Sequence, residues 1–355
     1  MADERKSRQS QCSGISDLRT VFGWQNFLQQ RERALAASGA PLKFAGTADI
    51  GLEFLEPTAG TGDLSLLLAR VQGDLRAADA FFTRADRPEF RREGPMLSFD
   101  SLTAVPGANS VARARLYESS QRDRAVLLLP YWNAARADGA SFGRLMARCG
   151  VTCLQLSLPY HDERSTPGTG FARELACENL GLTIAPNRQA VLDARACLDW
   201  LEQQGYRRIG ILGVSIGASI ASIVAAHDER VHAAAFVLMA DDFAEAAWTG
   251  TATSHVRLAL EQRFSREEVR AAWSIISPAS FAARLSQRLD RLLIVSGEID
   301  TVFLPEQTQA YVERLQRLGL APTWIRYRCG HYTLALPFYA ARCFLRVLAH
   351  FRACL

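Results

Sequence analysis

The serine at position 215 lies in a sequence pattern that can make its hydroxyl a nucleophile. It is the central residue of Gly213-Val214-Ser215-Ile216-Gly217, a G-x-S-x-G pattern between the apolar run 208–212 and a helical pattern that begins at 216. Glycines two positions before and after the serine permit a very sharp turn, which presents the hydroxyl above a sheet. The alternative is a structural serine in a tight turn, but the order of strand, turn and helix favours the nucleophile.

A serine hydroxyl is a weak nucleophile until a histidine accepts its proton. His331 follows the apolar run 323–328 through Cys329-Gly330, which predicts a position at the carboxyl edge of a sheet, where sites of such sheets lie. The other histidines lie in helical patterns, at a strand entrance, between strands, or before the serine: His161, His227, His232, His255 and His350. We therefore predict that His331 is the general base.

A carboxylate is needed to orient the imidazole, and Asp300 is the candidate that we favour. It ends the loop after the buried run 292–297, and it stands between Ser215 and His331 in the chain. Three alternatives stay open, because Glu298 is nearer the strand and Asp241 and Asp242 follow the preceding strand.

Two backbone N–H groups must stabilise the negative oxygen that forms when the serine attacks a carbonyl. One is the N–H of Ile216, the residue after the serine. The other is expected in the loop after the run 126–129, where the register favours Trp132 and, next, Asn133. Tyr131 stands where a glycine is usual in such loops, which leaves the loop's backbone geometry open.

These residues require a particular arrangement of strands and helices around them. Apolar runs predict strands at 96–102, 110–118, 125–130, 151–157, 208–214, 233–239, 291–296 and 322–328. Helical patterns lie at 140–149, 186–204, 216–228, 305–318 and 337–351. Regular alternation of strand and helix predicts an α/β fold whose mostly parallel, twisted sheet carries helices on both faces.

Two segments fall outside that alternation. Residues 1–95 contain two amphipathic patterns, at 15–37 and about 61–85, and predict an N-terminal helical extension to a main domain of residues 96–355. About fifty residues separate the sixth predicted strand from the next, so we expect a helical cap at about 241–290. Five residues near these loops or in the cap are candidates for substrate binding: Tyr131, Asn133, Tyr160, His161 and Trp248.

Three segments carry a resemblance to a known family: 128–134 (LLPYWNA), 156–164 (LSLPYHDER) and 329–333 (CGHYT). They resemble a bacterial branch of the α/β-hydrolases that is similar to the eukaryotic alpha/beta-hydrolase domain-containing protein eighteen. The resemblance covers about residues 95–350 and implies the α/β-hydrolase fold, with a catalytic triad at Ser215, Asp300 and His331. It implies an esterase or lipase activity, without naming a substrate.

Composition excludes several other classes. The 355 residues are 48% hydrophobic and 22% charged, typical of a globular protein, and the net charge is +4. The arginines are scattered, so we expect no nucleic-acid partner. Apolar runs are too short for a membrane span, and the polar start lacks the pattern of a secretory signal, so we expect a cytoplasmic protein. No nucleotide motif or paired-cysteine spacing is present, and we expect neither a metal nor an organic cofactor.

The sequence thus predicts a serine hydrolase that cleaves a carboxylic ester of a small molecule through an acyl-enzyme on Ser215. An acyltransferase or thioesterase would use the same triad, and a non-catalytic receptor on the same fold is a weaker alternative. The N-terminal helices could also form the interface of a homodimer.

Overall fold

A nine-stranded sheet forms the centre of the part of the chain that the computed structural model describes, residues 23–36, 46–102, 107–166 and 171–355. The strands are β1 (Phe90–Glu93), β2 (Met96–Asp100), β3 (Val111–Tyr117), β4 (Arg124–Leu129), β5 (Thr152–Ser157), β6 (Arg208–Val214), β7 (Val231–Val237), β8 (Leu292–Gly297) and β9 (Thr323–Tyr327). Their order is β1-β2-β3-β5-β4-β6-β7-β8-β9. Pairs up to β3–β5 are antiparallel and the remaining pairs are parallel. The predicted α/β fold class is confirmed.

Burial explains why the central strands could be recognised in the sequence. β5 and β8 are buried at every position, and β4 at all but its first, because helices cover both faces of the sheet. β1 was not predicted. Its sequence Phe-Arg-Arg-Glu is exposed at three of four positions on the sheet's edge, so no apolar alternation marks it.

Helices cover the two faces of the sheet. Residues 23–36 are helical (α1), followed by α2 (Leu64–Arg76), α3 (Ala78–Phe81), α4 (Ala140–Arg148), α5 (Leu180–Gln203), α6 (Ile216–His227), α7 (Phe243–Thr249), α8 (Ser254–Leu260), α9 (Arg266–Ala272), α10 (Ala282–Arg288), α11 (Pro305–Arg317) and α12 (Pro337–Cys354). Among the described residues, none of the helices combines the length and the hydrophobicity that a membrane span requires.

α5 begins six residues before its predicted start at 186. The helix starts at Leu180, where the side chain of Asn179 accepts the N–H of Leu182 at 2.8 Å, and Pro186 lies inside it. Trp273 also donates its indole N–H to the carbonyl of Leu180. The capped first turn therefore forms upstream of the proline.

The segment between β7 and β8 holds α7 to α10, where the sequence predicted a helical cap. An ion-pair cluster joins α7 to α9, since Arg266 and Arg270 both contact the carboxylate of Glu245, and Arg270 also reaches Asp242. Before the sheet, α2 packs Leu67 and Val71 into the core. β1 lies on the N-terminal side of the predicted domain boundary at 95 yet pairs with β2, and that boundary stays a prediction. Predicted helical residues 15–22 and 37 lie outside the described residues.

A buried ion pair holds the loop that follows β5. The guanidinium of Arg164 lies 2.8 Å from the carboxylate of Asp193 on α5, and both side chains are fully buried. Arg164 also donates to the backbone carbonyls of Ser157 and Asn109, and Asp193 accepts the hydroxyl of Ser101. This network ties the loop after β5 to the helix beneath it.

Replacing Asp193 by alanine leaves the Arg164 cation buried without its ionic partner. We expect the free energy of unfolding to fall by about 3–5 kcal/mol, measured by urea denaturation. The matched control is Asp100→Ala, which breaks an exposed ion pair with Arg91 and should lower stability by less than about 1 kcal/mol. Equal losses in the two variants would contradict a stabilising role for the buried pair.

Candidate active site

Ser215 stands on the sharp turn between β6 and α6, in a backbone conformation that L-residues rarely adopt. Its φ is 57° and its ψ is −124°, and its N–H donates to the carbonyl of Val237. A Cβ on Gly213 would lie 2.3 Å from the carbonyl oxygen of Gly217, and one on Gly217 would lie 2.3 Å from that of Leu129. Both glycines are therefore required for the close approach that raises the Ser215 side chain above the sheet.

The structure brings His331 and Asp300 to Ser215 in a continuous chain of hydrogen bonds. Nε2 of His331 lies 2.9 Å from Oγ of Ser215, and Nδ1 of His331 lies 2.9 Å from Oδ2 of Asp300. Ser215 and Asp300 are buried, and the His331 side chain is only 11% exposed. In this arrangement the serine hydroxyl donates to the imidazole, and the imidazole donates to the carboxylate.

The loop after β8 fixes the Asp300 carboxylate. Its second oxygen, Oδ1, accepts the N–H groups of Val302 and Phe303, each at 2.8 Å. The ring of Phe303 also meets the imidazole of His331 edge to face, with centroids 5.1 Å apart. The carboxylate and the imidazole are thus held from two sides.

The other acidic candidates have different partners. Glu298 lies 3.9 Å from Arg328, and Asp241 lies 3.8 Å from Arg314. Asp242 accepts the N–H of Glu245 at the start of α7. None of these three carboxylates is hydrogen-bonded to His331 in the described part of the chain.

The backbone N–H groups of Ile216 and Trp132 lie near Ser215 and have no acceptor among the described residues. The indole N–H of Trp132 donates to the carbonyl of Ala172 at 2.7 Å, which fixes the side chain. The N–H of Asn133, which the sequence offered as the next candidate donor, is not free, because it donates to Nε2 of His161 at 2.8 Å.

His161 is buried beneath this loop and holds it in place. Its Nδ1 donates to the carbonyl of Pro159 at 2.8 Å, since its Nε2 must be free of hydrogen to accept the Asn133 N–H. Burial lowers the pKa of His161, with smaller opposing effects from the Pro159 hydrogen bond and Asp162. Asn133 itself has a φ of 62° and accepts the N–H of Ala172 with its side chain.

An apolar cavity with a volume of about 50 Å³ opens beside Ser215. Its lining includes no charged side chain and is rich in small residues: Trp132, Ala176, Ser215, Ile216, Ser219, Ala240, Phe243, Ala246, Ala247, Ala252, Thr253, Val302 and Phe303. α7 and the short turn after it supply one wall, and the loop after Asp300 supplies another. The cavity can accept an uncharged, largely apolar group next to the serine oxygen.

Comparison with known proteins supports the same architecture. The profile of the prolyl oligopeptidase family, peptidase S9, matches residues 185–335, a span that contains Ser215, Asp300 and His331. No curated protein matches the sequence significantly.

Solved structures match over most of the chain. An acylaminoacyl peptidase from Pyrococcus horikoshii superposes with a TM-score of 0.56 and 12% identity, covering 78% of this chain and 43% of that one. A puromycin-hydrolyzing peptidase from Mycobacterium tuberculosis gives 0.56 and 15%, covering 76% and 39%. TT1662 from Thermus thermophilus gives 0.51 and 17%, covering 75% and 99%. This chain has the α/β-hydrolase fold.

The chain spans less than half the length of the first two of these proteins. The comparisons do not support the narrower family branch that the sequence resembles.

The five residues predicted to bind substrate do not line the cavity. Tyr131 is 41% exposed and donates its hydroxyl to Asp138. Tyr160 and Trp248 pack in or against the core. Asn133 and His161 shape the loop that carries the Trp132 N–H instead.

Several cavity residues carried little sequence signal. Val302 and Phe303 are the second and third residues after Asp300, so a turn in which that aspartate accepts their two N–H groups could have indicated them. Ala246, Ala247 and Ala252 carried no signal, because small residues are common on any packed helix. Among the described residues, no group of three or more His, Cys, Asp or Glu side chains is placed to hold a metal ion.

The lowered pKa of His161 predicts how stability changes with pH. The folded protein keeps this imidazole neutral, whereas an unfolded chain protonates it near pH 6.5. Protons therefore favour the unfolded state, and the free energy of unfolding should decline as the pH falls below about 6.5. His227, whose pKa burial lowers to about 4, should extend the decline to about that pH.

Urea denaturation of the wild type, His161→Gln and His227→Gln between pH 7 and 4 would measure this. Each variant should lose part of the slope. A slope that neither substitution reduces would show that other groups cause the decline.

Proposed function

We propose that this α/β-hydrolase is a serine hydrolase that forms an acyl-enzyme on Ser215. His331 is its general base, and Asp300 orients the imidazole. The observation that supports this most directly is the chain of two 2.9 Å hydrogen bonds from Ser215 through His331 to Asp300. A structural serine would not require the strained turn that holds Ser215.

The reaction proceeds in two steps on the same three side chains. His331 Nε2 takes the proton of the Ser215 hydroxyl while Oγ attacks the carbonyl carbon, and the protonated imidazole then delivers that proton to the leaving group. Next, His331 takes a proton from water, and the hydroxide oxygen attacks the acyl-enzyme. The acid leaves, and Ser215 regains its proton.

The N–H groups of Ile216 and Trp132 stabilise the negative oxygen in both steps. Each is free of an acceptor among the described residues, as a donor reserved for a reaction intermediate should be. Removing one such donor typically reduces the rate by about 100- to 1,000-fold. His161 contributes indirectly, because it binds the Asn133 N–H and so fixes the neighbouring peptide.

The cavity supports an uncharged substrate whose apolar group lies against α7. Ala246, Ala247 and Ala252 leave room there, and Phe243 and Phe303 supply aromatic surface. An ionised group would be buried there without a partner, which is strongly unfavourable.

Two leaving groups fit this chemistry. The sequence favoured an alcohol, and hence a carboxylic ester. The family match and the peptidase neighbours favour an amine, and hence a peptide or related amide, as the first class to test. An acyltransferase or thioesterase would share the acylation step and differ in the acceptor that releases the acyl group.

Covalent labelling with a fluorophosphonate probe tests the nucleophile. We expect the wild type to be labelled, and Ser215→Ala and His331→Ala to lose labelling and turnover by roughly four to six orders of magnitude. Turnover is measured on paired p-nitrophenyl esters and p-nitroanilides with the same acyl groups, which separates the two leaving-group classes.

Ser222→Ala is the matched control, because that buried serine lies on the same helix and contacts Tyr311 rather than His331. It should be labelled like the wild type. A wild type that the probe does not label, although circular dichroism shows it folded, would contradict the proposal and favour a non-catalytic receptor.

Enlarging a cavity residue tests the substrate pocket. Ala252→Leu should shift the preferred acyl chain of the ester series towards shorter members, because the added atoms occupy the cavity. We expect kcat/KM for the longest good substrate to fall about 10- to 100-fold while the acetyl ester is little affected. Thr251→Val changes the adjacent exposed residue and should leave the preference unchanged. An equal loss for all chain lengths would place the acyl group elsewhere.

A further inference from the structure

The N-terminal helix α1 inserts a buried carboxylate under the loop that carries His331. Glu32 is only 1% exposed. Its carboxylate accepts the N–H of Tyr332 at 3.1 and 3.2 Å, and the N–H and hydroxyl of Thr333 at 2.9 and 3.0 Å. Glu32 and the loop are about 300 residues apart in the chain, so no local sequence pattern indicates this contact.

These contacts fix the backbone on both sides of His331. After it, the N–H groups of Tyr332 and Thr333 bind Glu32 directly. Before it, the N–H of Gly330 donates at 2.7 Å to the Thr333 hydroxyl, which in turn donates to Glu32. The peptide that carries the imidazole therefore lies between two groups tied to the same carboxylate.

Gly330 leaves the space that the carboxylate occupies. A Cβ at this position would lie 2.2 Å from Cδ and 2.5 Å from Oε2 of Glu32. The glycine and the glutamate thus fit one another.

Anchoring α1 alone does not account for Glu32. The helix already packs through Leu28, which is fully buried in the cluster that includes α4 and α12. Burying a carboxylate is unfavourable unless hydrogen bonds compensate it. The hydrogen bonds that Glu32 accepts within the described chain all come from residues 332 and 333, next to the imidazole.

We propose that Glu32 is a positioning residue that holds His331 in line with Ser215 and Asp300. The proposal rests on the proposed function. Displacing a reacting group by about 1 Å can slow a reaction about 100-fold. A variant whose His331 loop is no longer bound to Glu32 should therefore remain folded but react more slowly.

The substitution Glu32→Gln tests this with little change in shape. The amide keeps one oxygen to accept an N–H but loses the charge and turns an NH₂ group towards donors. We expect kcat to fall about 10-fold and KM to stay within about twofold, because the cavity residues are unchanged. Glu32→Ala should lower kcat about 100-fold. The rate of fluorophosphonate labelling should fall with kcat.

Leu28→Ala is the control for loss of helix packing. It should lower the melting temperature while kcat, measured well below that temperature, stays near the wild-type value. A kcat loss in Leu28→Ala as large as that in Glu32→Gln would show that docking of α1, rather than the carboxylate, matters.

A double-mutant cycle with Gly330→Ala supplies a second route. The added methyl group would displace the carboxylate, so Gly330→Ala should reduce kcat in the wild type and have less effect in Glu32→Ala. Full additivity would overturn the proposal. Wild type that is not labelled at all would overturn the proposed function instead, whereas equal labelling rates for wild type and Glu32→Gln would overturn only the role of Glu32.

Discussion

The close approach of α6 to β6 at Ser215 is the constraint on which the rest of the site depends. It forces a positive φ on the serine and leaves no room for a side chain at Gly213 or Gly217. The strain is retained because buried strands on both sides of β6 and the packed helix α6 fix the ends of the turn. The His331 imidazole and the free N–H groups of Ile216 and Trp132 can act on a substrate only if the turn places the Ser215 Oγ beside them.

Two buried charged groups outside the triad support this geometry from opposite sides. Asp193 on α5 binds Arg164, and Arg164 holds the loop after β5 whose His161 fixes the peptide at Asn133. Glu32 on α1 binds the loop after β9 that carries His331. Both contacts use polar groups buried with nearly complete hydrogen bonding, which favours one loop conformation over its alternatives.

The sequence predicted what depends on local pattern. The central strands could be predicted because they are buried on both faces and so form unbroken apolar runs. The G-x-S-x-G turn could be predicted because there is no room for a side chain at either glycine. β1 was missed because an exposed edge strand needs no apolar residues. The small residues of the cavity wall and Glu32 were missed because their contacts join residues far apart in the chain, and neither an alanine nor a single glutamate carries a signal of its partner.

The wall of the cavity and the hydrogen-bonded side chains come from different segments, which affects how substrate preference can evolve. Most of its selective wall comes from α7 and the turn that follows, whereas the hydrogen-bonded chain comes from the ends of β6, β8 and β9. Substitutions in 243–253 can therefore reshape the pocket without moving the hydrogen-bonded side chains of Ser215, His331 and Asp300. Phe303 is the exception, since it lines the cavity and also contacts the imidazole and the Asp300 carboxylate. Selection for a new substrate should thus change residues 243–253 freely and retain Phe303.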